Sequence, residues 1–178
     1  MADRMMSDDA ILAMARVDIA ASTSQFLYAQ AATILSEGGM NERNTGACGC
    51  GAVRFTTSGP LRGVVYCHCT QCRRQSGHFY AATNVDDDCI EVEGKENITW
   101  YRASQTGRRG FCRFCGSALF WKHDELDSIS VMAGAFDSPS GLRGDCHIFI
   151  ADKGDYYEIT DDLPQFSKST PDVKVADG

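Results

Sequence analysis

The run Cys67-His68-Cys69-Thr70-Gln71-Cys72 sets three thiols within six residues, between the shorter runs Cys48-Gly49-Cys50-Gly51 and Cys112-Arg113-Phe114-Cys115-Gly116. Seven of the nine cysteines in the 178-residue chain lie in these three runs, while Cys89 and Cys146 stand alone. An odd total, with neighbours only two or three residues apart, fits metal ligation better than a disulfide framework. Residues i and i+2 of an extended strand are about 6.6 Å apart, whereas two sulfurs at ~2.3 Å from one tetrahedral zinc lie roughly 3.8 Å apart. Chelation by Cys67 and Cys69 therefore needs a bent backbone. Gly49 and Gly51 around Cys50, and Gly116 after Cys115, supply such freedom and let amides turn toward the sulfurs, as in a zinc knuckle.

Seven thiolates divide as four plus three. A four-cysteine zinc site is closed and suits a structural staple, while three cysteines leave an open position at which an incoming thiol can be deprotonated. Spacing alone does not settle the pairing. Chain proximity would join Cys48 and Cys50 to part of the triple run, whereas two-plus-two counting joins them to Cys112 and Cys115 and leaves Cys67, Cys69 and Cys72 intact. We favour the second, which staples the domain across its length. In the competing reading, His68, His78, His123, His147 or a lone cysteine closes the second site, and both metals are structural. Cys89 and Cys146 are expected to be small buried hydrophobes.

Around these runs the composition is that of a soluble globular chain, with 43% hydrophobic and 23% charged residues. The formal charge of −7 offers no positive field for phosphate backbones or an anionic membrane, so neither nucleic acid nor a membrane surface is an expected partner. No run approaches the ~20 apolar residues of a membrane span. Asp3, Asp8 and Asp9 suit neither a secretory signal nor a transit peptide, so a cytoplasmic location is expected.

Two regions are expected. Residues 1–39 are alanine-rich, without cysteine or proline, and predict one or two helices between Ser7 and Gly38-Gly39. They form either an appendage or translated sequence upstream of a start at Met40. Residues 40–178 change to short β-rich runs, at 52–56, 61–66, 79–84, 90–93, 98–102, 108–112, 118–121, 128–133, 147–151 and 156–159, punctuated by turn residues such as Ser58-Gly59-Pro60 and Asp86-Asp87-Asp88. The fold class is mostly β, with curled short-stranded sheets around zinc-ribbon-like cysteine sites and an N-terminal helical extension. Phosphate-cradling glycine loops, βαβ alternation and nucleophile elbows are absent from the sequence.

Three segments, 46–55 (Gly46-Ala47-Cys48-Gly49-Cys50-Gly51-Ala52-Val53-Arg54-Phe55), 67–77 (ending Cys72-Arg73-Arg74-Gln75-Ser76-Gly77) and 111–117 (Phe111-Cys112-Arg113-Phe114-Cys115-Gly116-Ser117), occur in the order seen in the glutathione-dependent formaldehyde-activating (GFA) family, also called the centromere protein V/GFA family, which the chain resembles. Weaker matches extend the resemblance to Phe166. It implies a structural zinc on Cys48, Cys50, Cys112 and Cys115, and a second zinc, held less firmly, on Cys67, Cys69 and Cys72. It also implies a carbon–sulfur lyase type reaction that joins glutathione and formaldehyde reversibly as S-(hydroxymethyl)glutathione.

In that reading the substrate is a small-molecule thiol such as glutathione, and homo-oligomerisation is left open. His68 and His78 are candidate proton donors because they flank the site in sequence and imidazole titrates near neutral pH. Arg73 and Arg74 follow the last ligand and either grip substrate carboxylates or offset the negative thiolate site. Arg108 and Arg109, just before the third run, are expected to screen the four-cysteine site. Aromatic residues on the expected strands (Phe79, Tyr80, Trp100, Tyr101, Phe120, Trp121) are expected in the core. The alternatives to an enzyme are a zinc-stabilised binding module without turnover and a thiol or zinc sensor, since an open three-thiolate site is oxidisable.

Overall fold

The computed structural model describes residues 43–170, within the unit Asn41–Gly178. The helices expected over residues 1–39, and the boundary expected after them, lie outside the described residues. The described fold is mostly β, as expected. Its strands are β1 (Asn44–Ala47), β2 (Arg54–Thr57), β3 (Val64–Cys67), β4 (Tyr80–Asp86), β5 (Ile90–Glu93), β6 (Ile98–Arg102), β7 (Gly107–Cys112), β8 (Ala118–His123), β9 (Ser128–Met132) and β10 (Gly144–Ile148). One α-helix, α1 (Thr70–Ser76), follows β3. No helix among the described residues is long and apolar enough to cross a membrane.

The strands form two open sheets, one of three strands in the order β1-β2-β5 and one of seven in the order β10-β3-β4-β9-β8-β7-β6. Every pairing is antiparallel except that of β10 with β3. The sheets are not curled around the cysteines. Neither sheet closes on itself, and the cysteines of the two clusters sit at strand ends and in the loops that follow.

Side-chain alternation gives the large sheet two unlike faces. On one face Val85 of β4, Phe120 of β8 and Val131 of β9 are buried against Phe55 of the small sheet, with Val92 and Ile129 packed around them. Phe55 meets Phe120 and Phe136 edge-on, at centroid distances of 5.9 and 5.0 Å. The other face carries Tyr80, Ala82 and Asn84 from β4, Ser128, Ser130 and Met132 from β9, Trp121 and Arg109, all of which line a cleft.

Strands 90–93 and 98–102 coincide with expectation, and seven others overlap it. Strand β1 was not expected, because Asn44-Thr45-Gly46-Ala47 has no apolar alternation. Pairing with β2 creates it, and Gly46 is required there: a Cβ would lie 2.3 Å from both Ala135 O and Phe55 Cζ. The strand expected at 147–151 starts earlier, at Gly144, and stops at Ile148, since Phe149 turns the chain at φ +57°.

No strand forms at 156–159, because a chain of side-chain hydrogen bonds fixes this segment instead. The Asp161 carboxylate lies 3.1 Å from His147 Nε2, His147 Nδ1 lies 2.8 Å from His68 Nε2, and His68 Nδ1 lies 2.5 Å from the Tyr157 hydroxyl. A carboxylate only accepts, so the neutral tautomers follow link by link: His147 donates to Asp161, His68 to His147 and Tyr157 to His68. His68 is fully buried, and burial together with nearby His147 pulls its imidazole down to about 4, which keeps it neutral. The segment beyond follows β10, with Phe166 N–H donating to His147 O and His147 N–H to Pro164 O.

Two stability predictions follow from this packing. Phe120→Ala is expected to cost about 3–5 kcal/mol, as a large buried ring lost from a close-packed layer. His147→Leu leaves the His68 N–H buried without an acceptor and is expected to cost about 1–3 kcal/mol. Urea denaturation of the two variants and the parent chain measures both.

Candidate active site and metal centres

Two loops of matching form build the four-cysteine cluster. Cys48 N–H donates to Val53 O at 3.0 Å and Cys112 N–H to Ser117 O at 3.0 Å, so each loop closes over five residues. Gly51 and Gly116 take left-handed conformations, at φ +75° and +74°, where a side chain would be strained. The loops are joined by the Gly49 N–H, which donates to Ser117 Oγ at 2.9 Å.

This brings together Cys48, Cys50, Cys112 and Cys115, whose sulfurs all lie within 4.8 Å of one another. The Cys48–Cys50 and Cys50–Cys112 sulfur separations are 3.6 and 3.7 Å. These are far longer than a disulfide bond and close to the roughly 3.8 Å edge of a tetrahedral zinc–thiolate site. A further donor, Val53 N–H, points at Cys48 Sγ from 3.3 Å. Hydrogen bonding from Ser117 holds the Cys115 thiol down to about 5, so a thiolate is already favoured. Cys48 and Cys112 are buried in the main core, and Cys50 and Cys115 face solvent.

The three-cysteine cluster is made by a strand-to-helix turn. Cys67 ends β3, and the His68 N–H donates to Ile148 O of β10 at 2.9 Å. Cys69 then caps α1, its sulfur accepting from the Cys72 N–H at 3.4 Å. Cap and third helical residue share a face, so Cys69 and Cys72 converge, and the turn swings both toward Cys67. The sulfurs of Cys67, Cys69 and Cys72 lie within 4.8 Å of one another. Hydrogen bonds from the Cys67 and Cys72 thiols pull Cys69 down to about 2, while the same contacts and burial push Cys67 up. The donor set fits a soft divalent cation that replaces the shared protons.

This cluster opens onto the cleft, about 770 Å³ in volume. One row of the large sheet crosses its floor in register, from Arg109 through Trp121 and Ser130 to Asn84. The cleft carries Arg62, Arg74 and Arg109 against a single acidic residue, Asp152. This is a local excess of positive charge on a chain of net charge −7.

Arg74 stands in the cleft wall, while Arg73, the residue before it on α1, is half-buried and outside the lining. His68 does not face the cleft. Both its ring nitrogens are engaged by Tyr157 and His147, so it has no proton to exchange with a ligand there.

Arg108 and Arg109 do not screen the four-cysteine cluster, since strand alternation sends them elsewhere. Arg108 lies over the Trp100 ring at 5.1 Å and near Asp124 at 3.7 Å. Arg109 Nη2 reaches Cys72 Sγ at 3.3 Å, in the other cluster. Among the aromatics, Phe120 is core, Tyr80 and Trp121 line the cleft, and Trp100 and Tyr101 are exposed. Cys146 is a buried hydrophobe between Val65 and Ile148, and Cys89 is half-buried beside the main core. The meeting of Arg62 and Arg109 in the cleft and the Tyr157–His68–His147–Asp161 chain were beyond the reach of sequence reasoning, because each depends on segments far apart in the chain.

Comparisons agree with the motifs. A family model described as "Glutathione-dependent formaldehyde-activating enzyme" matches residues 43–152. A Halomonas elongata protein named "Putative glutathione-dependent formaldehyde-activating enzyme" is 34% identical over 125 residues, covering 64% of this chain and 79% of that one. A Schizosaccharomyces pombe protein named as an uncharacterized lyase is 24% identical over 123 residues, covering 68% and 89%. A crystal structure of a Rhodobacter sphaeroides protein covers 55% of this chain and 91% of its own, at 25% identity and a TM-score of 0.47. With three cysteine motifs in order, two converging sulfur clusters and a family match over most of the described residues, the chain belongs to the glutathione-dependent formaldehyde-activating family.

Proposed function

We propose that the chain is a zinc-dependent carbon–sulfur lyase type enzyme that joins glutathione and formaldehyde reversibly as S-(hydroxymethyl)glutathione. The observation that carries this reading is the placement of three converging sulfurs at the wall of an arginine-bearing cleft. In this reading Cys48, Cys50, Cys112 and Cys115 hold a structural zinc, and Cys67, Cys69 and Cys72 hold the second. When bound, that second zinc supplies an open coordination position and a charge that favours the thiolate form of an incoming thiol.

The chain's own residues do the remainder. Glutathione carries two carboxylates, and Arg62 and Arg74 offer planar forks for them, which assigns the carboxylate role to Arg74 and Arg62 instead of Arg74 and Arg73. Tyr80, Trp121 and Met132 add apolar surface to the cleft beside the three cysteines, against which the carbon chain of a bound thiol can pack. In the reaction the thiol loses its proton to solvent, and the sulfur forms a bond to the formaldehyde carbon. The carbon–oxygen π pair moves to oxygen, which takes a proton from water, so one thiol and one formaldehyde give one hemithioacetal. His68 serves the scaffold in this scheme, and the protons pass through solvent.

Metal analysis of the purified full chain is expected to find two zincs. Cys72→Ser is expected to hold one and to melt within a few degrees of the parent, while Cys112→Ser is expected to lower the Tm by roughly 10 °C or more, because only the four-cysteine site joins distant parts of the core. Exchange NMR on a glutathione–formaldehyde mixture tests the activity. Zinc-loaded protein should accelerate interconversion with the hemithioacetal, and a Cys67→Ser variant should return it to the uncatalysed rate. Equal rates with a folded, two-zinc protein would refute the assignment and favour a binding or sensing role.

A further inference from the structure

Arg109 is the most constrained cation among the described residues of the cleft. It is only 5% exposed. Its guanidinium lies over the Tyr80 ring at 5.1 Å, and its Nη2 contacts Cys72 Sγ at 3.3 Å and Gln71 Oε1 at 3.4 Å. Gln71 is itself clamped, its Nε2 donating to Ala103 O at 2.7 Å, so loop 103–104 and helix α1 together fix the orientation of the fork. Arg109 Nε is buried and has no hydrogen-bond partner in the protein, although the residue lines the cleft.

A structural counter-charge for Cys72 would need only the Nη2 contact, whereas the residue also stands in the cleft lining beside the three cysteines. Donors held rigidly beside the reacting atoms are suited to an oxygen that acquires negative charge during a reaction. The nearest place for such an oxygen is beside the three cysteines, where the incoming sulfur and its carbon would sit.

We propose that Arg109, oriented by Gln71 and Tyr80, forms the subsite for the anionic oxygen of the substrate next to Cys67, Cys69 and Cys72. This inference rests on the thiol-adduct reading above and deepens it. As the sulfur–carbon bond forms, the carbonyl π pair moves onto oxygen, and the guanidinium N–H groups hold that oxygen until it takes a proton from water. In the reverse direction the same donors stabilise the alkoxide from which the carbon–sulfur bond breaks. Arg109 thereby favours carbonyl adducts of thiols over simple thioethers. It separates oxygen binding from carboxylate anchoring by Arg62 and Arg74.

The test compares two stable probes, S-(carboxymethyl)glutathione and S-ethylglutathione, by isothermal titration on the zinc-loaded full chain. The carboxymethyl group places a negative oxygen beyond the sulfur, and the ethyl group does not. The parent protein is expected to bind the carboxymethyl probe about tenfold or more tightly, the scale of one charge-assisted contact. Arg109→Met should abolish that preference while still binding S-ethylglutathione, and Arg109→Lys should restore part of it. Gln71→Leu, at an exposed helix position, should weaken the preference without loss of zinc and guards against an unfolded Arg109 variant. In the exchange assay Arg109→Met should lose roughly 100-fold in rate.

Equal binding of the two probes by the parent, or an undiminished preference in a folded Arg109→Met protein, would overturn the oxygen subsite while leaving the thiol reading intact. Failure of the parent to bind either probe, or to accelerate the glutathione–formaldehyde exchange, would instead remove the thiol reading and this inference together.

Discussion

Side-chain alternation across one seven-stranded sheet is the constraint on which the rest of this protein depends. Because successive residues point to opposite faces, each central strand must satisfy an apolar layer on one side and a polar, arginine-bearing cleft on the other. In β4, Thr83 and Val85 face the core while Tyr80, Ala82 and Asn84 face the cleft, and β9 divides Val131 from Ser130 and Met132 in the same way. A register slip of one residue would carry Arg109 into the layer occupied by Phe120 and Phe55. The hydrophobic layer thus fixes the position of the polar groups, and those groups inherit its rigidity.

The two sulfur clusters use this scaffold differently. Cys48 and Cys112 are part of the main core, and their cluster ties the loop after β1 to the end of β7, residues more than sixty apart in the chain. Its four sulfurs are held by short loops with left-handed glycines, a geometry that binding a cation would lock and in which cysteines alone complete a tetrahedral set. The triple cluster instead grows from a single strand-to-helix turn, with Cys69 as helix cap and Cys67 as the last residue of the strand. Its anchorage comes from behind, through the His68 backbone to β10 and the His68 ring to His147 and Tyr157. His68 is thus surrounded by chemistry in the sequence and removed from it in space: between two cysteines that face the cleft, alternation turns its ring to the opposite side.

Positive charge follows a similar logic. The chain is acidic as a whole, yet three arginines from β3's approach, α1 and β7 meet around one cleft. Of the three, only Arg74 adjoins the three-cysteine run in the sequence. Arg109 precedes the third motif in sequence but reaches the second in space, because β7 runs antiparallel to β8 and β6 and delivers its side chain across the floor to Cys72.

The sequence by itself determined the β character, most strand positions and the three thiol runs, since period-two alternation, turn residues and thiol spacing are local signals, while the meeting of Cys48 and Cys50 with Cys112 and Cys115 is tertiary. It missed β1, whose four residues carry no apolar pattern and extend only because Gly46 lets Phe55 and Ala135 approach. It missed α1, seven mostly polar residues ordered by a cysteine cap and tertiary contacts. Local patterns also placed a strand at 156–159, where Tyr157 bonds to a histidine 89 residues away. The tertiary structure alone decided which face each side chain presents, and with it the separation of His68 from the cleft and the arrival of Arg62 and Arg109 within it. Those outcomes rest on register and pairing between distant strands, which no local property of the residues encodes.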